Sequence, residues 1–135
     1  MRNTSLLCIL CLLFLAATCK KQETIESELV GKTWLHSFEE DEGDIQVYRL
    51  NSYDFPPSRG RTGFALEPGG ILKRYAIAPT DGLEEHRGQW EFADDNVVQI
   101  KVKGENTVTE DFRFQIISLK NGVLKVRRLS EQNEQ

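Results

Sequence analysis

Apolar and polar positions along the chain fall into two regimes. Residues 6–17 (LLCILCLLFLAA) form an unbroken apolar run of twelve, with Arg2 in front of it. A spanning helix needs about 20 apolar residues and a signal h-region about 7–15, so this run reads as an export signal. From Val30 onward the apolar residues come in short or alternating runs instead. These are Lys32–Phe38, Ile45–Leu50, Thr62–Leu66, Leu72–Ala78, Gly88–Phe92, Val97–Val102, Thr107–Ile117 and Val123–Leu129. The segments between them are rich in turn residues: EEDEGD, NSYDFPPSRGR, EPGG, APTDG, ADDN, KGEN and KNG. Each run predicts a strand. Asn121-Gly122 is the strongest hairpin signal, because both central residues of a type I′ turn need positive φ.

None of the intervening segments is long enough for the crossover helix that a parallel pair requires, so the strands are expected to be antiparallel neighbours in sequence order. Eight such strands avoid exposed edges by closing into an up-and-down β-barrel, wide enough inside for one small ligand. An open two-sheet sandwich is the competing architecture. The fold class expected is therefore all-β. Residues 22–30 add a short polar stretch with Ile25, Leu29 and Val30 at helical spacing, one helical turn able to plug a barrel end.

The apolar run ends in Ala16-Ala17-Thr18-Cys19, followed by Lys20-Lys21. This resembles the lipobox of bacterial lipoproteins, in which a peptidase cuts before a diacylated cysteine. The resemblance implies residues 1–18 as signal peptide, Cys19 as the lipidated N-terminus, residues 19–28 as lipidated terminus and tether, and residues 29–135 as the barrel domain. Ordinary secretion with cleavage after Ala17 is the alternative. The chain has three cysteines, Cys8, Cys11 and Cys19, and none after residue 19. The exported domain therefore has no disulfide, and a thioether at Cys19 removes the reactive leftover thiol. Each buried acyl methylene adds roughly 0.8 kcal/mol, so two or three chains on one cysteine anchor a protein firmly to a membrane. Lys20 stands where inner-membrane lipoproteins usually carry Asp, which implies the outer membrane of a bacterial envelope.

A second resemblance lies in the later runs. Leu29-Val30-Gly31-Lys32-Thr33-Trp34 resembles the opening strand of bacterial lipocalin-like domains, where a glycine and a tryptophan follow a short helix. Gly88-Gln89-Trp90-Glu91-Phe92, Val97-Val98-Gln99-Ile100, Phe114–Leu119 and Leu124-Lys125-Val126 resemble the remaining strands. Together they cover most of residues 29–129. The resemblance implies a lipocalin-like barrel that holds a small apolar molecule, with Arg128 covering Trp34 through a cation–π contact. The other reading of Arg128 is a solvent-exposed strand end.

Side chains alternate along a strand, so one inward residue sets the parity of its neighbours. An inward Trp34 brings Lys32, His36 and Phe38 inside; an inward Trp90 brings His86, Gly88 and Phe92. Val98, Ile100 and Val102, then Phe112, Phe114 and Ile116, form clear apolar faces. Candidate ligand contacts are therefore His36, Phe38, Phe64, His86, Phe112 and Phe114. Both histidines of the chain are in that set, but two imidazoles fall short of a zinc site, and the favoured alternative is that each is a mouth residue bonded locally. No metal or cofactor is expected. Residues 53–61 (YDFPPSRGR) form the most unusual connection, read either as a stiff cover or as a lid. In the lid reading, Arg59 and Arg61 meet an anionic head group with their forked donors. The acidic run Glu39–Asp44 lacks a calcium-loop spacing and reads as a solvated hairpin tip.

Composition narrows the function further. Seventeen Lys and Arg face twenty-one Asp and Glu, a net charge of −4. A phosphate-binding surface needs excess cations, so no nucleic-acid partner is expected. Ser58 lies in no G-x-S-x-G elbow, and no nucleophile with a matching base stands out. The expectation is a lipid-anchored, non-enzymatic barrel that binds a small apolar or amphipathic ligand. The alternative is an envelope interaction or inhibitor barrel with a filled core.

Overall fold

The computed structural model describes residues 8–9, 23–77, 82–103 and 109–130. Cys19 and the rest of the lipobox lie outside the described residues. Eight strands close into one antiparallel barrel: β1 (Thr33–His36), β2 (Ile45–Leu50), β3 (Gly63–Glu67), β4 (Ile71–Ile77), β5 (Leu83–Asp94), β6 (Val97–Lys103), β7 (Thr109–Lys120) and β8 (Val123–Leu129). The closed antiparallel barrel and its eight strands are as expected from the alternation pattern. Around the wall the order is β1-β2-β8-β7-β6-β5-β4-β3.

The order departs from a strict meander in one place. β1 sits between β2 and β3 and is antiparallel to both. The chain leaving β2 beside the start of β1 must therefore travel the length of β1 before it enters β3. Residues 51–62 make that return as a strap along β1. Asn51 N–H donates to Thr33 O at one end, and His36 N–H donates to Thr62 O at the other. Sequence-order pairing assumed that each connection was a hairpin; this one, with Pro56 and Pro57, is a crossing.

Several strand boundaries also differ, those of β5 and β1 among them. β5 reaches back to Leu83, because its backbone pairs with β4 from Leu83 onward whatever the charge of Glu84, Glu85 and Arg87. β1 stops at His36, and the chain bends into a 3₁₀ turn at Phe38–Glu40. Ser37 is buried there, and Glu40 N–H donates to its carbonyl. The bend ends the strand's parity, so Phe38, expected inside, is 49% exposed.

A helix over residues 23–29 brings Leu29 into the core at one barrel end, with Ile25 and Val30 packed beside it. Trp34, 1% exposed, donates its Nε1–H to Leu29 O at 3.0 Å and ties that helix to β1. Trp90 does the same for the β3–β4 turn, donating to Glu67 O at 2.9 Å. A buried indole needs such a carbonyl, and each tryptophan thereby joins two chain segments. The core continues through Leu66, Leu72, Val98, Ile100, Phe114, Ile116, Leu124 and Val126. Asn121 and Gly122 have φ of 54° and 71°, the left-handed pair that the predicted β7–β8 turn requires. Gly88 and Gly63 mark close approaches between strands, since a Cβ would stand 2.1 Å from Lys101 O at Gly88 and 2.1 Å from Trp34 O at Gly63.

Candidate functional site

On five of the eight strands the inward parity changes character toward the barrel end away from the N-terminal helix, while β6 and β7 stay apolar. On β1 it runs from Trp34 to His36, on β2 from Leu50 through Tyr48 to Gln46. On β3 it runs from Leu66 through Phe64 to Thr62, on β4 from Leu72 through Arg74 to Ala76, and on β8 from Val126 to Arg128. The cross-strand pairs Trp34↔Phe64, Phe64↔Arg74 and Phe114↔Arg128 tie these strands together around the wall. The result is an apolar floor and a polar mouth. Between them lies a cavity of about 200 Å³. Leu72, Ile100, Phe114 and Val126 form its deep side, while His36, Gln46, Tyr48, Arg74 and Arg128 stand nearer the opening.

Aromatic rings carry one wall. His36 stacks on Tyr48 with ring centres 5.0 Å apart, Tyr48 lies 5.0 Å from Phe64, and Phe64 lies 5.7 Å from Phe114. His36 Nε2 is 2.9 Å from Asp41 Oδ2. A carboxylate only accepts, so Nε2 carries the hydrogen and Asp41 fixes the ring's orientation. The opposite part of the lining is cationic. The guanidinium carbon of Arg128 lies 4.4 Å from the centre of the Phe112 ring, and that of Arg74 lies 5.8 Å from it. Burial pushes the Tyr48 phenol above its ordinary pKa, aided by Asp41 and opposed by Arg74 and Arg128. At neutral pH that group is therefore a protonated donor beside two cations.

Four of the residues named from sequence meet in this cavity: His36, Phe64, Phe112 and Phe114. The other four do not line it. Phe38 points to solvent past the 3₁₀ bend. His86 has the inward parity but pairs with Glu84, its Nε2 at 3.3 Å from Oε2, outside the cavity lining. Arg59 is exposed on the strap. Arg61 is 8% exposed and serves the strap itself. It donates to Glu39 Oε1 and Oε2, to Pro56 O and to His36 O, and it lies between the rings of Phe38 and Phe55 at 4.8 and 4.6 Å. A lid arginine needs an unfilled fork; this fork is filled by the protein.

The acidic run is not merely a solvated tip. Glu39 takes Arg61, and Glu40 takes Arg49 through two hydrogen bonds of 2.6 and 2.7 Å plus the Ser37 hydroxyl. Asp41 accepts from His36 and from Val47 N–H, and Asp44 forms an ion pair with Arg127. Arg128 covers Phe112 and not Trp34, because Trp34 sits toward the helix-bearing end while Arg128 sits at the mouth.

Sequence reasoning missed Arg74, Tyr48, Gln46 and Thr62. The signal was present: with Leu72 taken as inward, period two places Arg74 beside it, and Leu50 likewise selects Tyr48 and Gln46. No family model, no curated protein and no solved structure matches the chain.

Proposed function

We propose that this protein is a binding barrel, without catalytic activity of its own, that takes one small amphipathic molecule into the mouth cavity. The observation that carries this reading is the polarity step along the strands: an apolar floor of Leu72, Ile100, Phe114 and Val126 beneath a mouth of Tyr48, Arg74 and Arg128. A cavity of about 200 Å³ falls below the 300–1,000 Å³ common for drug-sized ligands. Dry apolar cavities of about 150 Å³ accept a single benzene ring, so the size suits one ring or a short acyl chain.

A lipid anchor at Cys19 completes the reading. The helix just downstream of it joins the barrel at the end opposite the cavity. An acylated Cys19 would hold that end toward the membrane and leave the mouth facing the aqueous side of a bacterial envelope.

A second reading, an envelope interaction barrel, draws on Ile77 and Leu83. These cross-strand neighbours on β4 and β5 are 49% and 60% exposed. Native mass spectrometry of the full chain, purified from its host membrane in detergent, separates the two. A stoichiometric small molecule that leaves on denaturation supports the binding barrel. A bare chain that recovers a protein partner on crosslinking, and shifts its melting point with no small molecule tested, overturns it in favour of the second reading.

A further inference from the structure

We propose that the cavity selects uncharged aromatic molecules: a single ring packed on the Tyr48–Phe64–Phe114 wall, carrying one oxygen that accepts from the Tyr48 hydroxyl. The inference rests on the binding reading above and names the ligand class of that same cavity.

Three observations meet here. The first is which lining groups the protein itself already uses. His36 Nε2 donates to Asp41, and Arg74 and Arg128 are engaged within the protein, both guanidiniums lying over the Phe112 ring. The Tyr48 hydroxyl and the Gln46 side-chain amide also line the cavity, half-buried, and make no hydrogen bond among the described residues. The polar groups left over on β2 are thus neutral. An ion moved out of water into such a site loses its hydration against neutral partners, whereas an uncharged polar group loses far less.

The second observation is donor chemistry. Burial raises the Tyr48 pKa, so the phenol keeps its hydrogen at neutral pH. A hydroxyl or carbonyl oxygen on the ligand gives that hydrogen an acceptor, while a bare hydrocarbon leaves it unpaired. The third is the wall. Tyr48, Phe64 and Phe114 come from β2, β3 and β7, yet their ring centres follow one another at 5.0 and 5.7 Å. Aromatic rings attract a further ring through their quadrupoles, edge to face or offset, and a saturated ring lacks that term. A cavity of about 200 Å³ holds one ring and excludes a long acyl chain.

The test follows the floor methyl resonances of Leu72, Ile100 and Val126 by NMR in the full chain held in nanodiscs, a readout that partitioning of a probe into lipid does not mimic. The five probes are benzyl alcohol, toluene, benzoate, benzylammonium and cyclohexylmethanol, which share one skeleton. Benzyl alcohol is expected to bind at least about tenfold more tightly than either ion, and about threefold more tightly than cyclohexylmethanol. Tyr48→Phe should weaken benzyl alcohol by roughly three- to tenfold and leave toluene unchanged, since it removes one hydrogen bond and keeps the ring. The methyl spectrum of the free variant shows that it is folded. Benzoate or benzylammonium binding as tightly as benzyl alcohol overturns the selection of uncharged ligands and leaves the binding barrel standing. Cyclohexylmethanol binding as tightly overturns the role of the aromatic wall. Equal losses for benzyl alcohol and toluene in Tyr48→Phe, or no loss for either, overturn the hydroxyl contact. Binding of none of the five overturns both the selection and the cavity as a ligand site.

Discussion

Arg61 shows how much one side chain can do when its donors are all directed. Its fork reaches Glu39, Pro56 O and His36 O while two rings hold its plane, so it links the strap, the 3₁₀ turn and the end of β1. Arg61→Ala removes those hydrogen bonds and the stem's packing together. The expected loss is about 2 kcal/mol or more, since bonds to charged groups contribute roughly 1.5–3 kcal/mol each, and denaturant midpoints measure it. Arg61→Lys keeps the charge but presents no planar fork, and should recover less than half of that loss. A double variant of Arg59 and Arg61 would therefore lose stability, so it is unsuited as a probe of ligand binding alone. Arg59→Ala by itself, on an exposed side chain, should leave the midpoint within about 0.5 kcal/mol.

The strap and the 3₁₀ turn form an element whose cohesion is electrostatic. Two arginines, Arg49 and Arg61, each clasp one glutamate of Phe38–Glu40, and Arg49 also lies 4.2 Å over the ring of Tyr53 on the strap. The hydrogen bonds from Arg49 and then Ser37 hold the Glu40 carboxyl down at about 2. Its folded-state pKa is below its unfolded value, so the stabilisation is present above about 4.5 and is lost as pH falls toward 2. The Glu40 side chain is 37% exposed, so solvent screening limits the effect to about 1 kcal/mol or less. Urea midpoints of the parent and of Glu40→Gln, taken from pH 6 to pH 3, should converge as the pH drops. Curves that stay parallel would show that the clasp contributes nothing to folding.

The barrel as a unit has two different ends. One is closed by the 23–29 helix through Leu29 and the Trp34 indole; the other holds the polar mouth. The proposed anchor attaches on the closed side. Cys19→Ser, expressed as the full-length chain, should move from the membrane fraction to the soluble envelope, followed by fractionation and immunoblot. Retention in the membrane fraction would remove the anchor from the proposal. With the anchor intact, a cysteine placed at Gln46 should react with a water-soluble maleimide in vesicles that present the domain outward, because the mouth would face away from the bilayer.

The antiparallel all-β class, the strand count, the Asn121-Gly122 turn and the inward faces of β6 and β7 were legible in the amino-acid order. These follow from local rules: side chains alternate along any strand, and positive φ favours Asn-Gly at a tight turn. The same rule, applied to Leu72 and Leu50, reaches Arg74 and Tyr48. Three things lay beyond it. The 3₁₀ bend after His36 took Phe38 out of register, because Ser37 and Glu40 bond to each other and end the alternation. The strap along β1 replaced a hairpin, because β1 lies between β2 and β3 in the closed wall. The placement of the arginines was also hidden: Arg61, in a conspicuous loop motif, bonds Glu39, while Arg74 and Arg128, from β4 and β8, converge on Phe112. Convergence of residues 54 positions apart depends on how the sheet wraps, and no local pattern in the chain carries that information.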